Sequence, residues 1–319
     1  MESYIRDIKL LEKYISNKTI VSFHIGGGTP SIIEKKLLLS ILEYFFNNYK
    51  IYEKVEISLE VNPEDILHRK LKEYNSIGIN RICFGVQSFS NETLRWLGRR
   101  HTKKIAENAI LRAAEYFDNI GIDLIFGTPD STEKSFEKNL LFALQLPIKH
   151  ISLYEFEFLN KRVCREKNSF FIKNSKKILE RKNFFLYEIN SYAKKNYQSK
   201  YNNAVLGMCD FIGIGPSSHS RVKERGSYIK IENTKILKKW LETKSSHIKK
   251  KILNKNETIQ EFMLLGLCKS EGINIKNLHK LTGYELSKYI NLKNLESLRK
   301  NKFIKQNKNN IFLSNKGML

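Results

Sequence analysis

No Cys-x-x-Cys pair, and no cysteine–histidine pair at metal-ligand spacing, occurs anywhere in this sequence. Its four cysteines, Cys83, Cys164, Cys209 and Cys268, stand dozens of residues apart. That leaves neither a disulfide framework nor a metal-ligand set, and isolated thiols are the expectation. Also missing is any apolar run approaching the roughly 18 residues of a membrane span. The opening "MESYIRDIKLLEKYIS" carries charges where a signal peptide needs an apolar core, and no small-residue cleavage site follows. A cytoplasmic protein with no transmembrane segment is expected.

Acidic residues are comparatively few, so the formal net charge is +23. A surplus of that size raises nucleic acid or another anionic surface as a partner. A basic stripe interleaved with aromatics is absent, however, and the lysine clusters at 176–177, 238–239 and 249–251 are scattered. Abundant Lys, Asn and Ile throughout point to AT-rich codon usage, and nucleic acid is not expected. No fingerprint glycine loop leads straight into a first helix with an acidic residue downstream, which weakens a dinucleotide-binding reading.

What is present is a regular alternation of strand and helix over the first 150 residues. Ile5, Ile8, Leu11 and Ile15 mark one face of an N-terminal helix. Strands are expected at "TIVSFHI", "KVEISLEV", "RICFGV", "GIDLIFG" and "HISLYEF", with helices over 32–46, 64–77, 91–97, 102–118 and 131–144 between them. Such alternation implies a parallel sheet with crossover helices. Polar residues gather toward strand C-terminal ends (Thr29, Glu60, Gln87, Asp123, Glu155), the face on which barrels of this class carry their sites. Beyond "KKKILNKNE" the pattern changes to helices at 257–270, 275–281 and 292–301 and a hairpin in "FIKQNKNNIFLS". The expected domains are therefore residues 1–248, a partial (β/α) barrel, and 249–319, a small winged-helix-like domain; DNA binding or a packing appendage are the alternatives for the latter.

The candidate site residues are ambiguous one by one. Gly26, Gly27 and Gly28 lack side chains, so their backbone can approach a ligand, though a plain tight turn explains them too. Glu60 in "SLEVNPED" suits a ligand amine or a ribose diol; a helix-capping or surface carboxylate is the bland reading. Gln87 after "CFGV" suits a ribose or carboxylate, or is a polar strand end. Asp123 sits in an apolar strand, where a carboxylate is costly unless paired or ligand-bound. Arg99 and Arg100 suit a ligand carboxylate or are solvated charges. Gly213 and Gly215 form a second glycine loop, followed by His219, a ligand contact or a structural histidine.

Together, "HIGGGTPS", "LEVNPED", "GINRICFGVQSFSNETLRWLGRRHT", "IDLIFGTPDST" and "DFIGIGPSSHS" resemble the radical S-adenosylmethionine (SAM) family. The similar subgroup is oxygen-independent coproporphyrinogen III oxidase with its heme-chaperone relatives of the HemW type. The resemblance implies a partial barrel of radical SAM type with SAM and a [4Fe–4S] cluster. It puts Gly27, Gly28 and Thr29 on the methionine part of SAM, Glu60, Gln87, Arg99 and Asp123 around its carboxylate and ribose, and the Gly213–Gly215 loop near the adenine, with His219 beside it. "GVQSF" and the short tail resemble the chaperone branch, which implies heme as ligand and a heme-accepting respiratory enzyme as partner. The family's Cys-x3-Cys-x2-Cys motif and first barrel strand have no counterpart here. The chain is expected to be a partial barrel missing that strand, whether as an incomplete sequence, a degenerate gene or a protein acting without a cluster. No residue is assigned a catalytic role, and whether the chain is an enzyme stays open. A coproporphyrinogen oxidase relative and a non-catalytic heme or nucleic-acid module are the alternatives.

Overall fold

The computed structural model describes residues 1–66, 68–129, 131–156, 165–242, 248–283 and 285–318. Cys164 lies outside them. In chain order the first elements are α1 (Glu2–Leu11), β1 (Thr19–Ile25), α2 (Lys35–Asn48), β2 (Lys50–Val61), α3 (His68–Ser76), β3 (Arg81–Gln87), α4 (Asn91–Trp96), α5 (Lys103–Ala113), β4 (Asn119–Phe126), α6 (Glu133–Ala143) and β5 (His150–Glu155). They follow the expected alternation. The helices start where capping chemistry is available: Thr102 accepts the Ile105 N–H at the head of α5, and Thr132 and Ser135 form a reciprocal capping box on α6.

After β5 come α7 (Arg165–Arg181), β6 (Phe185–Glu188) and β7 (Ser191–Ala193). Among the described residues, seven strands share one sheet in the order β1-β2-β3-β4-β5-β7-β6. β2 through β5 pair in parallel, whereas β7 pairs antiparallel with both β5 and β6. The sheet is thus mixed rather than all-parallel. The reason is local: β6 and β7 are joined by a two-residue turn at Ile189 and Asn190, and a hairpin forces antiparallel pairing.

Register gives the sheet two chemically opposite faces. Ser58 pairs with Arg81, Glu60 with Cys83, Cys83 with Gly121, Gly121 with His150 and Asp123 with Ser152. The alternate positions (Leu59, Ile82, Phe84, Ile120, Ile122, Ile151) are apolar and fully buried. Period-2 alternation therefore sorts one wholly apolar face from one polar face. A parallel sheet packed alike on both sides would read as continuous apolar runs.

The remaining elements are α8 (Lys200–Leu206), β8 (His219–Glu224), β9 (Ser227–Glu232), α9 (Leu237–Glu242), β10 (Lys249–Ile252), α10 (Lys255–Cys268), β11 (Ile273–Asn274), α11 (Ile275–Thr282), α12 (Leu292–Lys300), β12 (Ile304–Gln306) and β13 (Asn310–Leu313). β10, β9 and β8 form a second, antiparallel sheet, and β11, β13 and β12 a third. The sheet of β8–β10 is unanticipated by the sequence reading; charges such as Lys223, Glu224, Lys230 and Glu232 break its apolar pattern. Backbone contacts divide the chain into two compact units. One comprises Ser22–Lys35, Glu56–Ser199 and Asn315–Leu319; the other Met1–Val21, Lys36–Val55 and Lys200–Ser314. Among the described residues no helix is long and apolar enough to cross a membrane.

Candidate functional site

The glycine loop after β1 is anchored at its exit and open along its length. Ser31 is completely buried. Its carbonyl accepts from the Tyr74 hydroxyl at 2.9 Å and the Lys70 ammonium at 3.0 Å, and its hydroxyl reaches Asp65 at 3.2 Å. Gly27 and Gly28 have φ of +82° and +59°, a conformation that glycine adopts without strain, and a side chain at either would meet nothing within 4 Å. Gly26 is different. A Cβ there would lie 2.7 Å from His24 Nε2 and 2.9 Å from Glu60 Oε2, so glycine at this position admits a contact between those two side chains. Thr29 leads into the short turn Pro30–Ile32, its carbonyl accepting the Ile32 N–H at 3.1 Å.

Glu60 is held from two sides. His24 Nε2 stands 3.2 Å from Oε1, and the Gly27 N–H points at Oε2 from 3.4 Å. His24 Nδ1 meets the Ser58 hydroxyl at 2.9 Å, which fixes the ring across β1 and β2. The hydrogen bond from His24 holds the Glu60 carboxyl below the usual carboxylate range, against partial burial that pulls the other way. Half of the side chain remains exposed, so this is an ionised group turned toward open space.

At the end of β3, Gln87 takes φ of +64° beside a register shift between Phe84 and Gln87. A Cβ on Gly85 would meet Gln87 Nε2 at 3.0 Å, Arg99 Nη2 at 3.3 Å and Asn62 Oδ1 at 3.6 Å, so three polar side chains converge over that glycine. Arg99 also approaches the Gly85 carbonyl at 3.4 Å, while Arg100 is exposed. His101 is completely buried, with Nδ1 2.8 Å from Glu64 and Nε2 3.0 Å from the Val86 carbonyl. It ties the strand end that carries Gln87 to the turn after β2.

Asp123 lies mid-strand on the polar face, deeper than the strand ends. Burial pushes its carboxyl up to about 6; hydrogen bonds from Ser152 and Cys83 oppose that rise and the nearby charge of Glu60 adds to it. Cys83 Sγ stands 3.7 Å from Asp123 Oδ1. Burial, and then Asp123 itself, drive the thiol well above its ordinary range. Among the described residues no group of three His, Cys, Asp or Glu is arranged to hold a metal ion.

Gly27, Gly28, Thr29, Glu60, Gln87, Arg99 and Asp123 thus share one compact unit. Gly213, Gly215 and His219 belong to the other. There Gly213 serves its own turn: its N–H donates to the Ser220 hydroxyl at 3.0 Å, and a Cβ would run into the His219 carbonyl. Gly215, at φ +101°, donates its N–H to Asp7 at 2.9 Å. His219 is exposed and faces Glu232 across the β8–β9 pair at 3.8 Å. Sequence reasoning passed over His24, Ser58, His101 and Asp7. For Ser58 a cue existed, since it shares a strand face with Glu60 two positions away.

Residues 4–143 match the radical SAM superfamily model and residues 253–319 that of the HemN C-terminal domain. The heme chaperone HemW of Buchnera aphidicola subsp. Acyrthosiphon pisum (strain APS) is 29% identical over 273 residues, covering 82% of this chain and 73% of that protein. HemW of Bacillus subtilis (strain 168) is 29% identical over 283 residues, with the same two coverages, 82% and 73%. The mitochondrial radical S-adenosyl methionine domain-containing protein 1 of Dictyostelium discoideum is 29% identical, covering 95% of this chain and 80% of its own. In structure, coproporphyrinogen III oxidase (HemN) from Escherichia coli superposes with a TM-score of 0.80 at 20% identity, over 100% of this chain and 80% of that one, and so shares its α/β half-barrel fold. The chain is a radical SAM superfamily protein with a HemN-type C-terminal domain.

Proposed function

We propose that this chain is a HemW-like heme carrier whose sheet binds SAM, and that it hands heme to a respiratory enzyme acceptor in the cytoplasm. The observation that carries the SAM reading is the pairing of an open, positive-φ glycine cradle with an ionised, half-exposed Glu60 beside it. In this reading Gly27, Gly28 and Thr29 hold the methionine part through backbone groups, and Glu60 accepts from the ligand ammonium. Gln87 and Arg99 meet the ribose and carboxylate. Asp123 closes the floor. SAM, when bound, supplies a sulfonium centre; the work of these residues is to orient it.

The second family group fares differently. An iron–sulfur cluster takes thiolate ligands. Cys83 is kept protonated by burial and by Asp123, Cys209 is exposed in another unit, and Cys268 lies on α10. Among the described residues these cysteines do not make a cluster site. The heme role is drawn from the heme chaperone relatives. The division at residues 248/249, with a winged-helix-like domain beyond it, belongs to the same reading.

Calorimetric titration of the full chain with SAM, and absorbance titration with hemin, test the two halves separately. Saturable binding of each is expected. No SAM binding at millimolar concentration, or hemin spectra identical to those with an unrelated basic protein, would sink the corresponding half.

A further inference from the structure

The unit that carries the sheet holds a second concavity, away from the glycine cradle. Its volume is about 420 Å³, within the roughly 300–1,000 Å³ typical of small-molecule sites. One wall is a face of α7, where Lys173, Lys176 and Lys177 stand three and four residues apart, the spacing that places helical side chains side by side. Lys176 is partly engaged, by the Asn315 amide oxygen at 3.3 Å and Glu180 at 4.0 Å. Lys173 and Lys177 are exposed and have no ion pair or hydrogen bond among the described residues. The floor is apolar: Leu186, Ile189 and Tyr192 come from the β6–β7 hairpin, and Ile189 is 44% exposed.

An apolar floor beneath two uncommitted cations, Lys173 and Lys177, with Glu180 held by Lys176 at the far end of the same helix face, selects an amphiphile with a flat apolar body and anions on one edge. We propose that this cavity seats heme, with the two propionates on Lys173 and Lys177 and one face of the macrocycle on Ile189 and Leu186. The proposal rests on the heme-carrying reading and gives it a location. A fatty acid offers one carboxylate where the helix face offers a pair of free cations. An acidic peptide would gain from the lysines and leave the floor bare. Met318 lines the same cavity and brings a thioether, one of the side chains that ligate heme iron. Tyr192 is not the ligand, because burial holds its phenol protonated.

The test is absorbance titration of the full chain with hemin at two salt concentrations. The variants are Lys173→Glu/Lys177→Glu, Lys173→Arg/Lys177→Arg and Met318→Leu, with circular dichroism to check their folding and SAM calorimetry to check the cradle. The charge reversal is expected to weaken hemin at least tenfold and to flatten the salt dependence, leaving SAM binding unchanged. The arginine pair should keep wild-type affinity. Met318→Leu should shift the bands of the reduced complex. If wild type binds hemin and the charge reversal binds it equally well, the cavity is not the seat, while heme carrying stands. Unchanged bands in Met318→Leu remove the thioether from the iron. Absence of hemin binding by wild type removes the heme reading and this site with it.

Discussion

The Asp7 carboxylate accepts the Gly215 N–H at 2.9 Å, joining positions 208 residues apart in sequence. The same oxygen accepts from Asn233 Nδ2 at 2.8 Å and from Trp240 Nε1 at 2.8 Å, and Asp7 is 2% exposed. Three donors around one buried oxygen explain how an aspartate tolerates the inner side of α1. They also make α1 the brace of the second glycine loop.

Removing that carboxylate takes the shared acceptor from three donors, the buried Gly215 N–H and Trp240 Nε1 and the half-buried Asn233 amide, and removes the charge 3.6 Å from Arg6. Asp7→Ala is therefore expected to lose about 3–5 kcal/mol of stability, as when one member of a buried polar network is deleted. Urea denaturation gives the number, and Trp240 emission should move to the red in the folded variant. A loss under about 1 kcal/mol would mean that the three bonds are not made together.

Two glycines of similar φ should respond very differently to alanine. Gly27 has φ +82° with open space around it, so Gly27→Ala carries only backbone strain, about 1–2 kcal/mol. Gly272, at φ +73°, faces the Ile311 carbonyl and Phe312 where a Cβ would go. Gly272→Ala adds that overlap to the strain, and a loss above about 3 kcal/mol is expected. Equal melting temperatures for the two variants would contradict the distinction between an open cradle and a packed turn.

These contrasts mark what the sequence can disclose. Strand and helix order from β1 to β5 is written in local periodicity, and so is the existence of Glu60 and Gln87 at strand ends. The hairpin that turns the sheet mixed was hidden because "FLYEI" and "SYA" are too short to declare a direction. In sequence His24 is one residue of a strand, because its partners Ser58 and Glu60 arrive only through β1–β2 pairing. Asp7 stands in a helix whose apolar face is marked by Ile5, Ile8, Leu11 and Ile15, and nothing local distinguishes it from a solvated charge. Its burial is dictated by donors more than 200 residues downstream, which no local pattern encodes. Contacts made across sheets and between distant segments are the ones that sequence periodicity leaves out.

The His24–Glu60 pair bears directly on SAM. Because His24 and the Gly27 N–H keep the Glu60 carboxyl below its usual range, its negative charge should persist as the solution is acidified to the ordinary carboxylate range, near pH 4. The Glu60 contribution to SAM affinity should therefore hold down to about that pH, and any loss between pH 7 and pH 5 would point to Asp123 instead. Any stability linked to Glu60 is present above its unfolded pKa and is lost as the pH falls through the lower folded one. Glu60→Gln should weaken SAM at least tenfold at pH 7.5 with little change in melting temperature. Undiminished affinity in calorimetry would remove Glu60 from the ligand.

Thiol reactivity separates two of the cysteines. Cys209 is exposed, while burial and Asp123 suppress ionisation of Cys83, and the thiolate is the reactive form. Brief alkylation at pH 8 followed by peptide mapping should label Cys209 well before Cys83, which is partly exposed but kept protonated. Early labelling of Cys83 would show an open, ionisable thiol and would revive it as a metal ligand.

The sheet holds one carboxyl at a cost. Asp123 titrates at about 6 in the fold, against 3.8 when free. A raised carboxyl contributes stability that is full below the free value and is lost as the pH climbs through the folded one. Above pH 6 the folded protein therefore carries a half-buried charge that the unfolded chain carries more easily, a penalty of up to about 3 kcal/mol at roughly 1.4 kcal/mol per unit. Asp123→Asn keeps the shape and can still bond Ser152. It should be more stable than wild type at pH 7.5, and that advantage should shrink between pH 6 and pH 4. Chemical denaturation across that range measures it. A variant less stable at pH 7.5 would mean that the carboxylate is stabilised by partners stronger than Ser152 and Cys83. A more stable variant with impaired SAM binding would identify Asp123 as a group retained for its ligand at the expense of the fold.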